Sequence, residues 1–280
     1  MANPLLNEKA MNTAVAREEG EAGWAAPNSA GRTTTGTWAP PVTDGPVSRW
    51  DGGVATASGA ASATLTLLLI LVASATVTWF SIAAPAADGT IRLPGGWIIG
   101  GVVVGLVAVL VSTFSPRRSR IAAPVYAVAE GVVIGAISRA YETAYNGIVL
   151  QAVGATIGVF VVMLLMYRSG MITVNDRYKR IVMGAMGGLM LFYLVSMVMG
   201  LFGSMPSFIN SSSGIGILFS LFVAGLAAAN LAMDFAMIEQ AERNKMPAYM
   251  EWYCALGVTV TLVWLYLEIL RLLAKLQDRR

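Results

Sequence analysis

Apolar residues occur in long blocks from about residue 62 to the end of this chain, and short polar stretches separate the blocks. Seven blocks are each about twenty residues long, which is enough for a helix to cross the roughly 30 Å hydrocarbon core of a bilayer. The pattern predicts an all-α polytopic membrane protein. Its seven transmembrane helices are expected at residues 62–84, 95–114, 121–139, 148–167, 181–202, 213–239 and 252–276.

Composition agrees with a membrane protein. Of 280 residues, 56% are hydrophobic and only 12% are charged, which is an apolar excess for a soluble domain. The net charge of +3 comes from Lys and Arg in the gaps between apolar blocks, so it reflects membrane topology and not a nucleic-acid patch. We therefore expect the lipid bilayer as a partner and no nucleic acid.

Residues 1–61 differ in kind from the rest, because they combine Ala, Gly, Thr and Pro with scattered charges. Such a segment cannot bury enough apolar surface to offset its ordering entropy. The sequence therefore predicts a disordered tail at 1–61 and a seven-helix transmembrane domain at 62–280.

Basic residues set the expected orientation in the cell membrane, since short loops rich in Lys and Arg stay in the cytoplasm. Two such loops, 115–120 and 168–180, fall on the same side as the tail, which predicts a cytoplasmic N-terminus. Seven full spans would place the basic C-terminus outside, against this rule. A last segment that re-enters the membrane is the alternative, but the length of the final apolar run favours seven spans.

Small residues recur four apart in several predicted helices, as Gly101 and Gly105, as Gly131 and Gly135, and as Gly154 and Gly158. This spacing allows helix backbones to approach closely in lipid. We interpret these glycines as packing residues, and they carry no functional information by themselves.

Three acids lie inside apolar blocks: Glu130, Asp234 and Glu268. A carboxylate at bilayer depth costs a few kcal/mol, so it is rarely kept unless it faces a partner, an ion or water. Because the chain has no His, sensing of protons near neutral pH must fall to such acids. The alternative is neutralisation within one helix, which Arg271 offers to Glu268 three residues away. Asp234 has no base within a turn, only Asn230 four residues before it.

Several stretches of the chain resemble the Bax inhibitor-1-like family of membrane proteins, in particular its bacterial branch with a long polar N-terminal extension. They are NPLLNEKA near the start, SPRRSRIAAPVYAVAEG in the middle, and MDFAMIEQAERNKMPAYMEWYC with LYLEILRLLAKL at the end. The most specific pieces are Asp234 followed by Ile238 and Glu239, and the run that ends in Glu268. The resemblance covers roughly residues 60–280.

The resemblance implies a last helix wrapped by the other six and a pH-sensitive calcium leak. Two acids in the last two helices would share a proton, and an Arg near the end of the second helix would close the pore. By position these would be Asp234, Glu268, and Arg117 or Arg118. Close carboxylates cannot both ionise easily, and Ca²⁺ prefers oxygen ligands. We therefore expect Ca²⁺ as the permeant ion, in weak contact with Asp234 and Glu268, and no tightly bound cofactor.

The spacing of these two acids departs from the family pattern. In an antiparallel hairpin that turns near Met246, Asp234 should be level with about Val258, and Glu268 should lie roughly 15 Å deeper at 1.5 Å per residue. Glu130 comes out close to the depth of Asp234 instead. It therefore stays a rival partner for Asp234.

The sequence thus favours a passive Ca²⁺ leak of the cell membrane, gated by protonation of intramembrane carboxylates. The alternative is a membrane-embedded regulator whose tail binds a membrane protease or stress-response partner, as is known for some bacterial members of the resembled family. A structural role with vestigial acids is a third reading. An enzyme is not expected, because the chain has no His, no nucleophile motif and no phosphate-binding loop.

Overall fold

Seven α-helices form the part of the chain that the computed structural model describes, which is residues 53–82, 95–201 and 211–279. All seven are long and apolar enough to cross a membrane. The predicted all-α, seven-helix membrane fold is confirmed. The helices are α1 (Ala57–Ser81), α2 (Gly95–Phe114), α3 (Ser119–Ala144), α4 (Ile148–Arg168), α5 (Asp176–Leu201), α6 (Gly214–Arg243) and α7 (Tyr249–Gln277), and a 3₁₀ turn (Pro116–Arg118) precedes α3.

The start of α1 differs from the prediction. The helix begins at Ala57 rather than at residue 62, because Thr56 caps it by accepting a hydrogen bond from the Gly59 N–H at 3.0 Å. Residues 53–61 therefore belong with the helices and not with the tail. The remainder of the predicted tail, residues 1–52, lies outside the described residues, so its disorder and its protein partner stay predictions.

The last helix is central, as the resemblance implies. α7 packs against α1, α3, α4 and α6, whereas α2 packs mainly on α3 and α5 mainly on α6. Most of α3 and α7 is buried within the protein, in contrast to the lipid-facing α2, α4 and α5. Fully buried leucines on α1, α6 and α7 form the middle of the core, namely Leu67, Leu231, Leu265 and Leu270.

Contacts at both ends of α7 show that it crosses the whole bundle. At one end, the residues before α1 meet the α6–α7 turn, where the Ala55 N–H donates to the Met246 carbonyl at 2.7 Å. At the other end, Asp278 accepts hydrogen bonds from Tyr145, and from Ser212 at 3.0 Å. A continuous last helix of 29 residues agrees with seven spans and not with the re-entrant alternative. That the first end faces the cytoplasm stays a prediction.

Candidate functional site

Asp234 lies on α6 with 7% of its surface exposed, and it faces α7. A side-chain carbon on Gly257 would lie 3.5 Å from its Oδ1, so Gly257 is a direct neighbour of the carboxylate on α7. Asn230 donates a hydrogen bond to the Thr261 hydroxyl at 2.8 Å. Polar side chains of α6 and α7 therefore lie together close to Asp234.

The electrostatic setting of Asp234 favours a neutral acid. Among the described residues, Oδ2 of Asp234 is buried without a hydrogen-bond partner, and no ion pair joins the carboxylate to a base. Leaving an ionised carboxylate buried and unpaired costs several kcal/mol or more. In this conformation the site suits a protonated side chain, and an ionised one would require water, a cation or a rearrangement.

Glu268 has a different environment on α7, where its side chain is 5% exposed. Its Oε1 accepts a hydrogen bond from Arg271 Nη1 at 2.8 Å, and the same nitrogen lies 3.3 Å from the Tyr193 hydroxyl on α5. Arg271, a base on the same helix, therefore neutralises Glu268. The hydrogen bond from Arg271 to Tyr193 links α7 to α5.

The two acids do not share a site. Contacts of Asp234 with Gly257 and of Asn230 with Thr261 fix the antiparallel register of α6 and α7. Glu268 lies eleven residues beyond Gly257, or about 16 Å along α7 at 1.5 Å per residue. The deeper position predicted for Glu268 agrees with this register. The shared proton and joint Ca²⁺ contact that the resemblance implies are not possible in this conformation.

Glu130 is not the partner of Asp234 either. It is half-buried at the interface of α2 and α3, where a side-chain carbon on Gly105 would lie 3.3 Å from its Oε2 and where Tyr126 is its neighbour. Asp234 instead faces α7. The structure thus places three intramembrane acids at three separate interfaces.

Arg117 and Arg118, the candidate closing bases, are exposed in the 3₁₀ turn. The Arg117 guanidinium lies 6.0 Å from the ring centroid of Tyr249, in the first turn of α7. Tyr249 precedes Gly257, the neighbour of Asp234, by eight residues, or about 12 Å of helix. No ion pair links either Arg to Asp234 or Glu268 within the described ranges, so the closing role is not seen in this conformation.

A family model described as Bax inhibitor 1 like matches residues 3–278. The chain belongs to this family. No curated protein and no solved structure matches the chain significantly. Membership confirms the resemblance seen in the sequence, and the match extends beyond residues 60–280 into the N-terminal segment.

Within this Bax inhibitor 1 like protein, sequence reasoning missed a buried base near the end of α7. Lys275 is 4% exposed, and its Nζ donates to the Ser220 hydroxyl at 2.9 Å and to the Gly216 carbonyl at 3.0 Å, both on α6. A Lys near the end of a membrane helix is usually interpreted as a residue that marks the cytoplasmic side. Only the small residues on the facing helix α6 could have indicated that Lys275 is buried. It adds a third charge near the ion pair of Glu268 and Arg271.

The described residues contain no group of three or more acidic, Cys or His side chains that could hold a metal ion. Carboxylate and hydroxyl oxygens at Asp234 and Thr261 offer at most a few of the six to eight oxygen ligands that Ca²⁺ takes. These residues alone would leave most of a Ca²⁺ coordination shell to other ligands.

Proposed function

We propose that this protein is a pH-sensitive passive cation pathway of the cell membrane, suited to Ca²⁺, in which Asp234 is the titrating group. The observation that carries the proposal is the burial of Asp234 between α6 and α7, where its Oδ2 has no hydrogen-bond partner and no ion pair neutralises the carboxylate among the described residues. A carboxylate inside the membrane is energetically costly, so an acid in such a position is taken as a functional site by default. Family membership supports the same class of function.

The gating step follows from the charge on one side chain. A protonated Asp234 is compatible with the closed α6–α7 interface, whereas an ionised Asp234 is stabilised when the interface admits water or a cation. A hard cation such as Ca²⁺ is attracted by the carboxylate and can use the oxygens of Thr261 and Asn230 as further ligands. Flux is therefore expected to rise with pH.

This mechanism differs from the shared-proton pair that the resemblance implies. Glu268 is paired with Arg271, and its register places it about 16 Å from the level of Asp234. We assign the ion pair a structural role. Asp234 then acts alone, so one proton separates the two states.

The test is Ca²⁺ flux into proteoliposomes between about pH 5.5 and about pH 8, a range that covers physiological proton switching. Asp234→Asn keeps the shape of the side chain and removes its titration, so the variant should lose the pH response. Glu130→Gln is the matched control, because it neutralises the half-buried acid at the α2–α3 interface. It should keep the wild-type response.

Two outcomes would overturn the proposal. A wild-type flux that does not change with pH removes the gating, and a wild-type pH response in Asp234→Asn removes Asp234 from it. Loss of the response in Glu130→Gln alone would transfer the titrating role to Glu130.

A further inference from the structure

The residues that precede α1 pair with the turn between α6 and α7. The Ala55 N–H donates to the Met246 carbonyl at 2.7 Å, and the Ala248 N–H donates to the Gly53 carbonyl at 2.9 Å. The two segments run antiparallel at this point. We call residues 53–57 the junction segment. It joins the first helix to the hairpin that carries Asp234, although these parts are almost two hundred residues apart in the chain.

Two carboxylates from the hairpin hold the start of α1. Glu251 Oε1 accepts hydrogen bonds from the backbone N–H and the hydroxyl of Thr56, both at 2.9 Å. Glu242 Oε1 accepts one from the Ala57 N–H at 3.1 Å. The first N–H groups of a helix lack partners within it, and its positive end favours nearby negative charge. Both acids look like ordinary solvated residues in the sequence, but here they bind α1.

A small apolar cluster lies beside the junction segment. Its fully buried members come from the junction segment, α1, α6 and α7, and methionines surround them. They are Ala55, Ala60, Ala241 and Cys254, with Met237, Ile238, Met246 and Met250 partly buried around them. Cys254 lies one helical turn before Gly257, the residue that faces Asp234. The cluster therefore lies between the hairpin end and Asp234.

We propose that the junction segment, with Glu242 and Glu251, is a gate that closes the route to Asp234 at the hairpin end. This inference rests on the proposed function, since it names how access to the same site is controlled. While both carboxylates bind α1, the apolar cluster stays closed. When they release α1, the cluster separates and the two carboxylates become available to cations.

Gly59 allows a sharp test of the gate. A side-chain carbon at Gly59 would overlap the carboxylate of Glu251, and the carboxylate is the movable partner because it ends a flexible side chain. Gly59→Ala should therefore displace Glu251 from Thr56. It should not weaken α1, because Ala is the better helix former. Gly158→Ala is the matched control, since nothing lies within 4 Å of a side-chain carbon there.

In the flux assay, Gly59→Ala should raise Ca²⁺ entry by about threefold or more over wild type, because the variant loses the two hydrogen bonds from Thr56 to Glu251 and even one modest hydrogen bond accounts for a factor of this size. Gly158→Ala should match wild type. Glu251→Ala should raise flux to a similar extent, and combining it with Gly59→Ala should add nothing, because both changes remove the same contact. Equal flux in Gly59→Ala and Gly158→Ala would overturn the inference.

A disulfide provides the opposite perturbation. Val54 and Pro247 face each other across the antiparallel bridge, where paired Cα atoms lie about 4.5 to 5.5 Å apart, a spacing that a disulfide accepts. With Cys254→Ala as background, Val54→Cys combined with Pro247→Cys should suppress flux on oxidation and regain it on reduction. Full flux in the oxidised, cross-linked protein would contradict the gate.

The same cysteine pair separates this inference from the proposed function, because its cross-linking needs no transport. Gly59→Ala should slow disulfide formation by about threefold or more relative to Gly158→Ala if it opens the junction. Equal rates overturn the gate even where flux is pH-dependent. If Gly59→Ala slows cross-linking but flux does not depend on pH, the opening of the junction segment is supported and the proposed leak is refuted.

Discussion

Gly135→Ala is the sharpest test of the packing that holds the central helices together. Gly135 lies on α3 against α1, and a side-chain carbon there would be 2.9 Å from the Cα of Ala75 and 3.0 Å from its carbonyl carbon. These neighbours are backbone atoms, which cannot turn away as a side chain can. One turn earlier, Gly131 is equally close to α1, with Ser74 Cβ at 2.7 Å. The added methyl group must therefore push the two helices apart.

The magnitude follows from ordinary contact distances. Non-bonded carbon atoms prefer separations of about 3.5 to 4.0 Å, so α1 must move outward by roughly 0.5 to 1 Å at Ala75. Overpacking of this kind costs about 1 to 3 kcal/mol. The movement also strains the hydrogen bond from Ser74 Oγ to the Val128 carbonyl, which is 2.8 Å long. Ala gains at most about 1 kcal/mol in helix propensity, so the net loss of stability should be about 1 to 2 kcal/mol.

Equilibrium unfolding in detergent micelles measures this loss, with Gly158→Ala on α4 as the control. Gly158 has the same spacing to its partner glycine in the sequence, but nothing lies within 4 Å of a side-chain carbon there. The control should be as stable as wild type or more stable by up to about 1 kcal/mol. If Gly135→Ala is no less stable than Gly158→Ala, the close approach of α1 and α3 does not limit side-chain size, and the reasoning fails.

Two further predictions concern charged contacts. Glu268→Gln should destabilise the protein by about 1 to 2 kcal/mol, because it removes a charged hydrogen bond to Arg271, whose side chain is 35% exposed and keeps part of its hydration. Adding Arg271→Met should recover much of the loss, and equal unfolding free energies for wild type and Glu268→Gln would contradict this. The hydrogen bond to Asp278 raises the pKa of Tyr145 above its ordinary value of 10.0. The hydrogen bond therefore stabilises the fold at pH values below 10.0, and this stabilisation is lost as the pH rises through the raised pKa of Tyr145. Asp278→Asn should lower the ionisation midpoint of Tyr145 in an ultraviolet difference titration against Tyr145→Phe, and an unchanged midpoint would refute the contact.

The helices themselves could be predicted because bilayer thickness, a property outside the chain, sets the length of each apolar block. The block at 95–114 became α2 with the same bounds. The start of α1 could not be predicted in this way. Residues 53–61 have the small, polar composition of a tail. They are ordered by a partner far away in the sequence, since Glu251 binds Thr56 across 195 positions.

In the candidate site too, features set by one helix or one hairpin could be predicted, whereas features set by contacts between distant helices could not. The pairing of Glu268 with Arg271 needs only the geometry of one helix, and the depth difference from Asp234 needs only one hairpin, so both could be derived. The interface that Glu130 occupies depends on which helices are neighbours, and no local pattern gives this. Identical glycine spacing likewise produced a close contact at Gly135 and open space at Gly158.

A lone acid at the level of Asp234 changes how the protein can respond to protons. In a pair that shares one proton, a negative charge persists over the intermediate pH range and can always attract a cation. A single carboxylate alternates between zero and one negative charge, so the closed interface never has to bury an uncompensated charge while the proton is bound. The free-energy cost of burying an unpaired charge arises only in the ionised state. In that state the carboxylate is stabilised by any arrangement that admits water or a cation. In the proposed gate, the apolar cluster beside the junction segment separates Asp234 from such solvation. Release of α1 by Glu242 and Glu251 and ionisation of Asp234 would then act on the same equilibrium.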